Sequence, residues 1–354
     1  MAAGVGAIVV EGFHRRVSAA VGASAPRGQW RPRGVVSMRR RLYFLRRRAP
    51  DGVFAQPSRG RAAGARHMAM MGKGPIYSPV IDSDEARDAQ AHADASENLS
   101  PERIDIEPMK ITQRYEKYTP GDHEVWGTIF RKRMEQLSEY GSEVFLNGSR
   151  LINLRPDRVA RLSEINERLL KLTGWSSHGV PGYLPPKCFF AFLAQRQFPT
   201  TVTVRPRSHM DYLPEPDIIH DVFGHVPLHA DPVFADFLQT YGQAALHTNN
   251  PEHTTRLARL FWFTVEFGLI REGGRLKLYG SGLISSEGEG HHALESPEVD
   301  RRPFELERVC ETSFEIDHYQ PILYVLESFE QLRDAMQSYA ERVLNEAGVS
   351  AVVR

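Results

Sequence analysis

The sequence predicts a mainly α-helical fold with small β elements, an α+β arrangement in a single domain over residues 116–346. Three observations carry that prediction. Apolar residues recur at three- and four-residue spacing over several long segments, strand-like runs are few and short, and no internal repeat is present. Pro120-Gly121-Asp122 announces the first of these helices, after which Trp126, Ile129, Phe130, Met134 and Leu137 recur at helical spacing. Val159, Leu162, Ile165, Leu169 and Leu172 repeat the pattern over 157–173, and further helices are expected at 232–247, 255–271 and 328–346. Strand-like pieces are limited to 200–204, Arg275–Leu278 and 323–326.

Composition narrows the class. At 354 residues, 41% hydrophobic and 25% charged, the chain is an ordinary globular sequence with enough length for one large core or two ordinary domains. No stretch approaches the roughly 18 consecutive apolar residues of a membrane span. Two cysteines, Cys188 and Cys310, exclude a disulfide framework and a cysteine-rich metal site, and fit a reducing, cytoplasmic compartment.

The net charge of zero hides an asymmetry. Residues 1–66 hold 14 arginines, no lysine and only Glu11 and Asp51 as acids, a balance of +12 that the other 288 residues cancel. Residues 1–75 therefore read as a disordered Arg-rich segment. A basic arm for nucleic acid or anionic lipid, an organelle transit peptide and upstream translation compete to explain it. The absence of lysine favours the last, with the working protein starting near Met68, Met70 or Met71. Residues 76–115 are polar and acidic and are expected to be an extended arm, with ordered structure beginning near Thr119; residues 347–354 form a tail.

The most informative stretch runs Asp217-Ile218-Ile219-His220-Asp221-Val222-Phe223-Gly224-His225-Val226-Pro227. On an ideal helix, residues five apart differ by about 140° and share no face. Gly224 and Pro227 are expected to end the helix between the histidines and turn His225 back toward His220. Two structural histidines bonded to carbonyls explain the pair equally well. Glu266 shifts the balance, because it is the one charge in an apolar helical run, 260–270. A carboxylate there is costly unless it is paired or binds a metal; an arginine salt bridge is the plainer alternative. Two imidazoles and one carboxylate make the facial triad of non-haem Fe(II) oxygenases, with positions left open. Asp217, three residues before His220, is placed to accept the second imidazole N–H, and as a helix N-terminal acid is favourable in any case. A zinc hydrolase is the rival, but neither HExxH nor HxxEH occurs in the chain. His291-His292 is set aside as a surface pair.

These residues resemble a known family. The run 214–228 is similar to the signature of the pterin-dependent aromatic amino acid hydroxylases. Phe263-Thr264-Val265-Glu266-Phe267-Gly268-Leu269 resembles the same family's carboxylate-ligand helix. Tyr279-Gly280-Ser281-Gly282-Leu283-Ile284-Ser285-Ser286 followed by Glu289 matches a third block, in the family's order. The resemblance extends from about Tyr118 to Ala340. It implies a single catalytic domain with Fe(II) held by His220, His225 and Glu266, and a tetrahydropterin cofactor. It also implies Arg205 on the substrate carboxylate, against the alternative of a surface arginine in Arg205-Pro206-Arg207, and Trp262 as the aromatic wall beside the substrate ring. Ser285 corresponds to a residue supporting the iron site. Phe189 matches the residue that stacks on the pterin, with Gly182, Tyr183 and Leu184 in the adjoining loop.

Asp221 stands where animal members carry glutamate on the pterin side. With Met210-Asp211-Tyr212-Leu213 upstream, it is similar to the bacterial, phenylalanine-hydroxylating branch, and its shorter side chain implies contact with the pterin through water. Ile316 falls where that branch is apolar and tyrosine-hydroxylating members are acidic, which suits an unsubstituted phenyl ring. The implied reaction is conversion of L-phenylalanine to L-tyrosine with O2; tryptophan or tyrosine hydroxylation is the alternative within the family. Lacking the regulatory domain and tetramerisation helix of animal members, the chain is expected to be a monomer with no nucleic-acid or membrane partner.

Overall fold

The computed structural model describes residues 78–210, 216–316 and 319–349. The Arg-rich segment 1–75, residues 211–213 upstream of the signature, its first two residues 214–215, and residues 350–354 of the tail lie outside the described residues.

The arm expected to be extended is largely helical instead. Asp82 accepts from the Asp84 and Glu85 N–H groups and caps α1 (Ser83–Ser96), and short 3-10 turns follow at Pro101–Arg103, Glu107–Met109 and Tyr115–Lys117. Its few apolar residues are spaced for burial. Ala89 and Ala93 lie on one helical face, and both are buried, as are Ile81, Ile104, Ile106, Met109 and Ile111. Cys188 Sγ reaches the Ala93 carbonyl at 3.4 Å, so the arm is packed on the body and ordered structure begins well before Thr119.

Helix α2 (Pro120–Tyr140) starts where the sequence suggested, and Thr119 and Asp122 form a capping box there. Ser142 caps α3 (Glu143–Leu151), and α4 (Leu162–Leu172) is shorter than expected: the Val159 N–H donates to His123, and the Val159 and Ala160 carbonyls accept from Tyr115 and Gln113. On α3 a Cβ at Gly148 would lie 1.9 Å from the Pro227 carbonyl oxygen, so helix and backbone touch directly.

Strand β1 (Ser176–Gly179) pairs in parallel with β2 (Gln197–Thr200), and α5 (Pro186–Ala194) joins them. The strand expected at 200–204 therefore lies earlier. The pairing stops at Gly179–Thr200, with a last bond from the Val180 N–H to the Thr200 carbonyl at 2.9 Å. Residues beyond it bond elsewhere: the Ile218 N–H donates to the Thr203 carbonyl at 2.9 Å.

Helix α6 (Pro232–His247) matches its expected range, and α7 (Pro251–Phe261) starts at an Asn250 cap. The helix expected over 255–271 does not continue unbroken. It widens to a π-helix at Trp262–Glu266 and then becomes β3 (Leu269–Glu272), which turns through Gly273-Gly274 into β4 (Arg275–Leu278). There follow α8 (Ser281–Ser285), α9 (Glu287–Glu295), β5 (Asp300–Pro303), α10 (Leu306–Glu311), β6 (Ile322–Leu326) and α11 (Phe329–Glu346). The second sheet has the order β4-β3-β6-β5, with only β3–β4 antiparallel. Phe329 at the start of α11 meets Phe234 of α6 edge to face at 5.7 Å.

Candidate active site

Two π-helices meet at the centre of the molecule. The first, Ile219–His225, resolves the spacing problem in a way the sequence reading did not foresee. The helix does not end between the histidines; it widens, and i→i+5 bonding brings residues five apart onto one face. The Nε2 atoms of His220 and His225 lie 3.2 Å apart. The second π-helix carries Glu266, wholly buried, with Oε2 3.6 Å from His220 Nε2 and Oε1 3.5 Å from His225 Nε2.

A short helix supports both. Ser281 Oγ on α8 donates to Glu266 Oε2 at 2.7 Å, and Ser285 Oγ lies 2.9 Å from His220 Nδ1. The helix enters through Gly280, where a Cβ would lie 2.5 Å from the Glu266 carbonyl oxygen and 2.4 Å from the Gly268 nitrogen. Burial pulls the His220 imidazole down to about 4, so it is neutral at pH 7 and can present an Nε2 lone pair. Burial works to raise the Glu266 carboxyl, but His225, His220 and Ser281 outweigh it and hold the group below its ordinary value.

These residues fit a metal ion. Their ligand atoms all lie within 4.8 Å of one another, and the buried Glu266 Oε1 has no hydrogen-bond partner. One divalent cation would satisfy the two imidazoles and the carboxylate together.

Asp217 does not accept the second imidazole N–H, as the sequence reading had it; Ser285 occupies that position. Its carboxylate takes the His220 backbone N–H at 3.1 Å and clamps Arg205 with two bonds of 2.8 Å, from Nε and Nη2. Arg205 is thus buried, and the exposed arginine of the trio is Arg207, paired with Glu124. Burial opposes the Arg205 charge, and Asp217 more than offsets it.

The remaining expected residues surround this centre at different distances. Trp262 opens the second π-helix; its Nε1 donates to Gln320 at 2.9 Å and its ring stacks on Phe314 at 4.5 Å. Ile316 is half-buried on the same 312–320 loop. Asp221 accepts from Thr201 N–H and Oγ1, each at 2.7 Å, and burial pushes its carboxyl up to about 7. Phe189 is buried in α5 among Phe190, Phe198 and Phe261, and only Phe198 of these reaches His225, at 4.9 Å between ring centroids. In the loop before α5, Gly182 adopts φ +140°, Tyr183 is exposed and Leu184 is buried. His291 pairs with Glu295 on the surface, as expected of a bystander.

Sequence reasoning missed Ser281, Thr201, Gln320, Arg133 and His229. The four-residue spacing of Ser281 and Ser285 was a usable signal, since it places both hydroxyls on one helical face. Arg133 also left a trace, falling between Ile129 and Leu137 on the buried face of α2. His229 had none: it lies flat against Trp175 at 4.7 Å, and burial holds its imidazole well below its ordinary value.

Two imidazoles and a carboxylate, buried on adjoining π-helices with supporting hydroxyls, form a donor set that could hold a single metal ion, of the two-histidine, one-carboxylate class. The chain belongs to the biopterin-dependent aromatic amino acid hydroxylase family, whose profile matches residues 109–350. It is 41% identical over 224 residues to the phenylalanine-4-hydroxylase of Caulobacter vibrioides, covering 63% of this chain and 76% of that one. Against the enzyme of Ralstonia nicotianae it is 38% identical over 253 residues, 72% of this chain and 79% of that one. The crystal structure of Chromobacterium violaceum phenylalanine hydroxylase with bound iron(III) and 7,8-dihydrobiopterin superposes with a TM-score of 0.64 at 36% identity, covering 75% of this chain and 96% of that one. Among the described residues no helix is long and apolar enough to cross a membrane.

Proposed function

We infer that the protein is a phenylalanine 4-monooxygenase, converting L-phenylalanine to L-tyrosine with O2 and a tetrahydropterin at an Fe(II) held by His220, His225 and Glu266. The observation that carries this reading is the convergence of three buried ligand atoms around the unpartnered Glu266 Oε1, in a chain of this family. The relatives named phenylalanine-4-hydroxylase, and the similar structure holding iron and dihydrobiopterin, support the substrate and the cofactors.

Bound iron and tetrahydropterin supply the activation of O2 and the two electrons that the aromatic ring does not; the protein supplies position and exclusion of water. His220 and His225 would hold the iron through Nε2, and Ser285 fixes the His220 ring from behind at Nδ1. Glu266 completes the set, with Oε2 steadied by Ser281. Arg205, oriented by Asp217, binds the substrate carboxylate with the N–H groups that Asp217 leaves free. Trp262 forms the wall for the substrate ring, and the apolar Ile316 offers no partner to a phenol and so favours phenylalanine. Phe189, the 182–184 loop and Asp221 form the pterin side. The protein works as a cytoplasmic monomer without nucleic-acid or membrane partners.

The direct test follows tyrosine formation from phenylalanine with Fe(II) and tetrahydropterin, in air and under anaerobic conditions. Tyrosine formation that is absent with every component present, or that does not depend on O2 and pterin, overturns the reading. A higher kcat/KM for tryptophan or tyrosine overturns the substrate.

A further inference from the structure

Arg133 lies 3% exposed on the apolar face of α2, in line with the buried Ile129 and Leu137. Its guanidinium is engaged by neutral oxygens. Nε donates to the Ile284 carbonyl at 2.7 Å, Nη2 to the Leu283 carbonyl at 2.9 Å, and Nη1 to Gln136 Oε1. Gln136 passes the contact on to Glu287 at 3.0 Å, and Lys132 meets the other Glu287 oxygen at 2.6 Å. The two carbonyls belong to the end of α8, the helix that carries Ser281 and Ser285. Helix ends leave carbonyls without intrahelical partners. Here the Ser286 N–H turns back to Gly282, and the chain enters α9 at once. A helix of five residues has little stability of its own, so its place is set by what grips it.

We propose that Arg133 is a positioning residue for the metal centre: by clamping the Leu283 and Ile284 carbonyls it holds Ser285 Oγ at His220 Nδ1. This rests on the iron-site reading above and adds to it a residue two layers from the metal. The chain of contact is continuous, from the guanidinium to the α8 carbonyls, to the Ser285 hydroxyl, to the His220 ring. The serine fixes the orientation and tautomer of a ligand whose other nitrogen faces the metal. A hydrophobic side chain in the Arg133 site removes a buried charge but leaves the two carbonyls without their donor, so some stability is lost whatever the residue's role. A positioning role therefore separates from a packing role: the first changes metal binding, the second changes only the melting of the fold.

The test titrates the full-length, metal-free protein with Co(II), followed by its visible d–d absorption, with circular dichroism as the check on folding. Wild type, Arg133→Met, Arg133→Lys, Ser285→Ala and the Arg133→Met/Ser285→Ala double variant are compared. Loss of a partner behind a metal ligand typically costs about 10–100-fold in affinity, so Ser285→Ala is expected in that range and Arg133→Met at its lower edge, about tenfold. Arg133→Lys, which keeps one donor, recovers part of the loss. The double variant loses less than the product of the two single losses, because both act through one hydroxyl. The d–d band shifts in the Arg133→Met protein.

Unchanged Co(II) affinity and spectrum in folded Arg133 variants overturn the proposal, as does strict additivity with Ser285→Ala. If Arg133→Met fails to fold, the lysine variant decides: wild-type affinity overturns the proposal, and weakened affinity supports it. A wild-type protein that binds no Co(II) overturns the proposal and the metal reading together, whereas normal wild-type binding with indifferent Arg133 variants overturns the proposal alone.

Discussion

Two buried arginines flank the centre, and they are used in opposite ways. Arg205 faces a fixed carboxylate, Asp217, which neutralises it through a two-pronged bond, and among the described residues its Nη1 reaches only the Met210 carbonyl, at 3.4 Å. Arg133 faces carbonyls and an amide, and each of its bonds is spent on the protein's own chain or side chains. The first is a charge kept in place for a ligand. The second is a clamp on backbone. The difference shows that burial of a guanidinium says little until its acceptors are named, because an anionic partner leaves a ligand-ready edge and a set of neutral partners leaves none.

Removing a metal ligand is the reference against which both are measured. Glu266→Ala is expected to lose bound iron and tyrosine formation together, by more than the roughly 100-fold that loss of a supporting residue costs. Metal analysis beside a tyrosine assay checks it, and near-normal iron content would break the triad. Asp217→Ala comes next. It strands the buried Arg205 charge, and breaking a buried pair from one side costs about 3–5 kcal/mol. Urea denaturation reads the loss, and a raised KM for phenylalanine should accompany it; a cost under about 1 kcal/mol would mean that water already reaches Arg205.

Arg133→Met should cost less, about 1–3 kcal/mol, because it leaves carbonyls unbonded but strands no charge. A loss equal to that of Asp217→Ala would erase the distinction between the two arginines. His178, whose Nε2 lies 2.9 Å from Ser176 Oγ, extends the comparison to a group that gives up its charge instead of pairing it with a carboxylate. Burial, with Lys110 adding to it, pulls its imidazole down to about 4 from an ordinary 6.5. The unfolded chain then binds the proton more readily, so this contribution to stability is complete above pH 6.5 and is lost as pH falls toward 4. His178→Gln should flatten that part of the stability profile, and an unchanged slope would refute the assignment. The smallest effect concerns Cys188 and Cys310, whose buried thiols are pushed up to about 12. Neither should react with a maleimide at pH 7 in the native protein.

What was legible in the sequence follows a physical pattern. The helices that bury one face, 120–140, 232–247 and 329–346, showed themselves by spacing, because burial imposes a period on the residues. The helix of the arm did not, because its buried apolar residues are alanines, whose small side chains contribute little to an apolar pattern. Glu266 stood out as a lone charge in an apolar run, so the triad could be read before any fold was known. The π-turns could not, since the sequence signals a break at Gly224 and Pro227 but not whether the helix ends there or widens. The Asp217–Arg205 clamp was hidden for another reason. Nothing local distinguishes an acid that faces an imidazole from one that faces an arginine twelve residues earlier.

The close approaches at Gly148 and Gly280 have a consequence for how this sequence can change over time. At both, backbone lies where a side chain would begin: the Pro227 oxygen at one, the Glu266 oxygen and Gly268 nitrogen at the other. Neither glycine offers an atom to a metal or a substrate. Yet a deep mutational scan should find alanine nearly as damaging there as at the ligands themselves, because each contact welds a ligand-bearing segment to a partner distant in the chain. Intolerance to substitution would then mark the hinges of construction along with the chemistry, and only the geometry tells the two apart.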